Sequence, residues 1–150
     1  MKRYDEWMGL ALAEATLARG SGDVPVGAVV VDEAGGVLGA GRNRREEQND
    51  PTAHAEIVAL REAARRRGTW RLDDVTLVVT LEPCTMCAGA ILQARVPRVV
   101  FGAWDEKAGA AGSVYDLLRD RRLPHRVEVI AGVREPEAAA LLTGFFDPMR

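Results

Sequence analysis

Read as a pattern of apolar and polar positions, the chain alternates between helical and extended segments. Residues 3 to 19 place Met8, Ala11, Leu12 and Ala15 at three- and four-residue intervals, the stripe of an amphipathic helix that Gly20-Ser21-Gly22 ends. Val26 to Val31 is small and β-branched and predicts a buried strand; turn residues 32–36 return it as a hairpin through Val37 to Gly41. Asn49-Asp50-Pro51-Thr52 then punctuates the chain ahead of a helix from Ala53 to Arg67, closed by Gly68. Val75 to Thr80 predicts a central strand, and Pro83 suits the first position of a helix carrying Cys84, Cys87, Ala88, Ile91 and Leu92. Val96 to Phe101 predicts another strand. After a Gly-rich loop over 107–113, Ser113 is placed to cap a short helix through Arg119, Arg126 to Ile130 reads as a fifth strand, and Pro136 opens a last helix in which Phe145 and Phe146 pack. The order α-β-β-α-β-α-β-α-β-α predicts an α/β architecture, a five-stranded mixed sheet with helices on both faces and parallel neighbours after the hairpin.

Composition narrows the class. At 150 residues, 47% hydrophobic and 28% charged, the chain fits a single soluble domain, residues 1–150, able to bury a core without disulfides. No apolar run is long enough for a membrane span, and the start Met1-Lys2-Arg3-Tyr4-Asp5-Glu6-Trp7 is too charged for a signal peptide, so a cytoplasmic protein with no membrane partner is expected. Twenty Lys+Arg against twenty-two Asp+Glu leave a net charge of −2, which excludes a broad basic footprint for nucleic acid. Local groups matter more. Arg42, Arg44 and Arg45, and again Arg119, Arg121, Arg122 and Arg126, fall in expected loops or element ends and are candidates for phosphate contacts. Arg61 and Arg65 to Arg67 read as a solvated helix face, with Glu62 spaced to pair with Arg66.

Candidate chemistry gathers in two short strings. His54-Ala55-Glu56 and Pro83-Cys84-Thr85-Met86-Cys87 hold both cysteines and one of the two histidines. Cys84 and Cys87, three apart at a helix start, turn both sulfurs to one side, where the helix dipole favours the metal-binding thiolate. With His54 they make three ligands and leave the fourth position of a tetrahedral zinc open, the arrangement of a catalytic rather than a structural site. Glu56 then stands beside the metal to take and return a proton during hydrolytic displacement at an electrophilic carbon. Each residue has a plainer reading: Cys-x-x-Cys also serves redox proteins, a histidine can cap a helix, and a glutamate can favour its dipole. Their coincidence favours zinc.

The string His-x-Glu followed by Pro-Cys-x-x-Cys resembles the zinc-dependent cytidine deaminase-like superfamily. Val24-Pro25-Val26-Gly27-Ala28-Val29, Asn43-Arg44, the block Asp50 to Glu56, the block Thr80 to Ala90 and the loop Phe101 to Ser113 are similar to the bacterial tRNA-specific adenosine deaminases (TadA type). The resemblance implies a three-layer α-β-α cytidine deaminase-like fold and one CMP/dCMP-type deaminase domain. It implies one Zn2+ per subunit on His54, Cys84 and Cys87, a zinc-bound hydroxide attacking C6 of adenosine, and Glu56 as proton shuttle. The substrate it implies is the wobble adenosine of tRNA-Arg, presented on the anticodon stem-loop and converted to inosine with release of ammonia. Asn43 would contact the flipped nucleoside, and backbone groups at Ala55, Leu81 and Glu82 would read the base edge. Asp105 would accept from a ribose 2′-hydroxyl, the plainer reading being an ordinary surface Asp in a turn. Phe146 would reach a flanking base, and a homodimer would build the RNA surface. Some family members carry a basic helical extension after the paired Phe. This chain stops at Arg150, leaving phosphate contacts to the two arginine groups. His125, with no partner motif, is expected in a loop near the RNA or at a helix end. The alternatives are a deaminase of a free base or nucleotide such as guanine or cytosine, an RNA-binding module with a structural metal, and a small redox protein.

Overall fold

A computed structural model of the chain describes residues 2–147; residue 1 and residues 148–150 lie outside the described part. In chain order the elements are α1 (Lys2–Ala18), a single 3-10 turn (Arg19–Ser21), β1 (Gly27–Val31), β2 (Val37–Arg42), α2 (Arg45–Gln48), α3 (Ala55–Arg67), β3 (Thr76–Leu81), α4 (Thr85–Gln93), β4 (Arg98–Ala103), β5 (Glu128–Ile130) and α5 (Glu135–Phe146). The central strands are apolar on both faces, which demands a cover on each side. In β1, Ala28 and Val30 enter one core while Val29 and Val31 enter the other; Leu77 and Val79 oppose Val78 in β3, and Val99 and Phe101 oppose Val100 in β4. Helices α3 and α4 close the first core, and α1 closes the second with α5.

The sheet order is β2-β1-β3-β4-β5, antiparallel through β2-β1-β3 and parallel through β3-β4-β5. The mixed five-stranded sheet and its two helical layers agree with the expected class. Two local expectations do not hold. No helix runs through Arg119, because backbone donors of that stretch reach back across the loop: Val114 and Tyr115 donate to the Gly109 carbonyl and Leu117 to that of Ala110. The Ser113 hydroxyl, expected as a cap, meets the Glu82 carboxylate instead. Phe146 is not core; it is 67% exposed, with Phe145 edge-on to it at 5.1 Å.

The approach of α3 to β2 positions the site. Glycine is needed at Gly41, where an added Cβ would lie 2.5 Å from the Ala55 carbonyl oxygen and 2.7 Å from the Ala59 nitrogen; Gly39 meets Ala59 and Ala63 in the same way one turn on. The helix begins at Ala55 rather than Ala53 because the Ala53 carbonyl is taken by the Arg44 N–H at 2.9 Å, which keeps His54 extended. We expect Gly41→Val to lift the helix start off the strand and cost about 1–3 kcal/mol, the usual range for overpacking. Urea unfolding measures this, and zinc affinity should fall with it.

Candidate zinc centre and substrate cavity

His54 and Cys84 occupy equivalent places, each the extended residue that immediately precedes a helix, α3 and α4 respectively. Pro83 therefore sits two residues before the first residue of the helix it was expected to open, and Cys84 takes the capping position between them. Cys87 stands on the first turn of α4 and is buried. The His54 Nδ1 lies 3.5 Å from the Cys84 Sγ and 3.5 Å from the Cys87 Sγ. A tetrahedral ion with bonds of about 2.3 Å to sulfur and about 2.0 Å to nitrogen would separate those atoms by roughly 3.5 Å. The triangle thus fits zinc without rearrangement, and the borderline-soft donor set suits that metal.

The electrostatics agree. A hydrogen bond from Cys87, then His54, pull the Cys84 thiol down to about 3 against the opposing effect of burial. Cys87 moves the other way, driven up first by its bond to Cys84 and then by burial and the nearby Glu56. Two adjacent sulfurs, Cys84 half-buried and Cys87 buried, share one proton until a cation compensates the second charge, so metal binding releases protons. His54 is raised by the same Cys84 contact. Burial pushes Glu56 up to about 7, with its own backbone N–H and His54 opposing.

These groups floor a cavity of about 240 Å³ lined by Val24, Val26, Asn43, Arg45, His54, Ala55, Glu56, Leu81, Glu82, Cys84, Asp105 and Ala108. That is smaller than a typical drug-sized pocket and suits a single flat ring system. Larger apolar hollows exist elsewhere on the surface, but none contains a titratable cluster with metal-ligand chemistry. Asn43, Ala55, Leu81, Glu82 and Asp105 all reach this cavity. Phe146 does not: it lines an adjoining groove with Trp104, Leu142 and Ala139 that shares Val24, Leu81, Asp105 and Ala108 with the cavity. The Asn43 Oδ1 accepts from the Arg45 N–H at 3.1 Å, which assigns the amide and leaves its NH2 for the cavity. Asp105 spends Oδ1 on the Lys107 and Ala108 N–H groups, both 3.1 Å away, in a turn of its own making.

Glu82 has a structural task that sequence reading missed. Its side chain is 2% exposed and accepts from the N–H groups of Asp105 at 2.9 Å, Ala111 at 3.0 Å and Ser113 at 3.0 Å, as well as from the Ser113 hydroxyl. One buried carboxylate thereby gathers the 105–113 loop beside Cys84, which itself bridges Gly109. The signal was present as a glutamate at the end of an apolar strand. Of the arginines, Arg42 and Arg44 both bind Glu47, Arg119 binds Asp116 and Arg122 binds Asp120. Arg45, Arg121 and Arg126 make no ion pair among the described residues. Arg66 donates to the Val37 carbonyl at 2.8 Å rather than pairing with Glu62, and the His125 Nε2 meets the Val96 carbonyl at 2.9 Å, which ties its loop to the connection between α4 and β4.

A zinc triad of one histidine and two cysteines, with a buried glutamate beside it on a three-layer fold, defines a metal-dependent deaminase. The chain belongs to the family of the cytidine and deoxycytidylate deaminase zinc-binding region, which it matches over residues 1–103. It is 49% identical over 148 residues to the tRNA-specific adenosine deaminase of Haemophilus influenzae, covering 98% of this chain and 86% of that protein. A solved structure from work on A-to-I editing by tRNA:A34 deaminases at the wobble position superposes with a TM-score of 0.87 at 44% identity, covering 91% of this chain and 99% of the other. A guanine deaminase from Nitrosomonas europaea superposes at 0.83 with 25% identity, over 94% and 83% of the two chains.

Glu56→Gln separates chemistry from folding. The folded state binds the Glu56 proton more tightly than the unfolded chain, so ionisation costs stability as pH rises from about 4.5 toward 7. Zinc-free Glu56→Gln should therefore match the parent near pH 4 and exceed it in denaturant resistance near pH 8. The zinc-loaded variant should lose about 10²–10⁴-fold in deamination rate.

Proposed function

We propose that this chain hydrolyses adenosine to inosine at the wobble position of a tRNA, tRNA-Arg, releasing ammonia. The observation that carries the choice of a polymer over a free base is the open join between cavity and groove at Val24, Leu81, Asp105 and Ala108. A free base is best served by a closed pocket. A nucleotide within a loop needs an exit for the chain on either side, and exposed Trp104 and Phe146 stand along that exit. The tRNA-deaminating relatives support the same reading.

In this reading His54, Cys84 and Cys87 hold one zinc per subunit. When bound, the metal makes water nucleophilic at neutral pH. Glu56 carries the protons: it receives one from the attacking water and passes it to the purine ring nitrogen, then takes the second from the new C6 hydroxyl and gives it to the departing amine. Burial suits it to both steps by bringing its affinity for the proton close to neutrality. The Asn43 amide donates to the nucleoside, and backbone groups at Ala55, Leu81 and Glu82 read the base edge. Asp105 Oδ2, unused by the turn, accepts from a ribose 2′-hydroxyl, and Phe146 offers a stacking face for a flanking base.

The partners follow from the surface. Ile57, Leu60, Ala64, Trp70, Leu72, Ala90 and Ala94 line an apolar hollow between α3 and α4, and Trp70 is 57% exposed there. A second copy of the chain covers it in a homodimer, which places another subunit near both metal-bearing helices. No described helix is long and apolar enough to cross a membrane. A tRNA substrate and two free thiols agree with a cytoplasmic site of action.

Incubation with an anticodon stem-loop, free adenosine, guanine and cytosine tests the substrate. Inosine should form on the stem-loop alone, whereas faster release of ammonia from guanine or cytosine would establish the free-base reading. Asp105→Asn should lower the rate on RNA relative to a matching DNA hairpin, and raising salt from 50 to 200 mM should weaken stem-loop binding steeply. Trp70→Asp should convert a dimer to a monomer in light scattering; a monomeric parent protein would refute the dimer.

A further inference from the structure

Asp23 lies outside every motif that carries the chemistry, yet its side chain is only 1% exposed. Both carboxylate oxygens are engaged. Oδ1 accepts from the Glu46 N–H at 2.6 Å, and Oδ2 accepts from the Glu47 N–H at 3.2 Å and the Ser21 hydroxyl at 2.5 Å. The two backbone donors belong to the first turn of α2, a helix of four residues whose own capping residue, Arg44, supplies no side-chain cap. A helix that short does not persist by itself, because nucleation costs more than so few bonds return. Its stability must come from outside, and Asp23 is the acceptor that satisfies its orphan donors.

The same turn carries the cavity wall. Asn43 and Arg45 line the cavity, and the Arg45 N–H that fixes the Asn43 amide is the residue just before Glu46. Asp23 directly precedes Val24, which with Val26 also lines the cavity. The Asn43 N–H donates to the Val26 carbonyl at 3.0 Å, a second link between the two segments. We propose that Asp23 is a positioning residue for substrate: by capping α2 from the segment that leads into β1 it sets the Asn43 amide and the Arg45 side chain at the mouth of the site. This rests on the reading of Asn43 as a contact to the nucleoside.

Asp23→Asn replaces one acceptor with a donor that faces backbone N–H groups, at the same volume. Two measurements on the full-length, zinc-loaded protein test the proposal. Amide hydrogen exchange at Glu46 and Glu47 should quicken at least tenfold, with α3, α4 and the zinc content unchanged. This readout needs no substrate and so stands even if the stem-loop proves the wrong one. Kinetics on the stem-loop should show KM raised fivefold or more with kcat within twofold, as expected for lost binding common to ground and transition states. In an Asn43→Ala background the same change should move KM less than twofold, because the contact it positions is already gone. Ser21→Ala, which removes only the hydroxyl holding the carboxylate, should shift exchange and KM in the same direction by a smaller factor and serves if Asp23→Asn does not fold. Unchanged exchange at Glu46 and Glu47, an equal KM effect in both backgrounds, or a loss confined to kcat would overturn the assignment.

Discussion

The site depends on how closely α3 can lie against β2. The two glycines of β2 remove the side chains that would hold the helix away, and the helix start descends far enough to bring His54 within bonding range of a metal shared with α4. Both ligating residues at the helix starts use the same device: an extended residue whose side chain projects in front of unpaired N–H groups. Those groups lower the free energy of negative charge, which favours a thiolate at Cys84. His54 and Cys84 line the cavity, so a metal held by them would be open to it.

Three buried carboxylates show how environment divides one functional group into different roles. Glu82 and Asp23 each accept several N–H and hydroxyl donors, and both serve as anchors for a loop. Glu56 is as buried, but its surroundings offer two sulfurs and few donors, so its charged form is poorly compensated. Saturation with donors makes a carboxylate a structural fastener, whereas partial satisfaction raises its affinity for a proton, as the proposed shuttle requires. Glu82 lies under the 105–113 loop and Asp23 under the 43–48 turn.

How much of this was legible in the sequence follows from the range of the interactions. The strands of the core were readable because their residues are apolar on both faces, and α1 because its stripe has helical period. The metal triad was readable because its residue types are scarce and its spacing is local. The helix expected after Ser113 failed because the hydroxyl that reads as a cap is drawn to Glu82, 31 positions earlier. Phe146 was misread as core since an aromatic pair at the end of an amphipathic helix looks the same whether a sheet or an open groove lies opposite. Helix α2 and its Asp23 cap were invisible for the same reason: the acceptor is 23 positions away from the donor it satisfies.

The acidic balance of the chain bears on how it can hold a nucleic acid at all. Most arginines that sequence assigned to phosphate are already neutralised by neighbours: Arg42 and Arg44 share Glu47, and Arg119 and Arg122 each hold an aspartate. Exposed pairs of this kind are worth little to stability and are separable at modest cost when a phosphate competes. Arg45 needs no such exchange. It stands unpaired on the cavity rim, where low-dielectric walls concentrate its field, and the exposed faces of Trp104 and Phe146 lie along the groove beyond. In the proposed reading, affinity comes from Arg45 together with arginines released from their pairs, and from base stacking at the site of reaction. It favours a nucleotide that is already unstacked in a loop over one that must be pulled from a duplex.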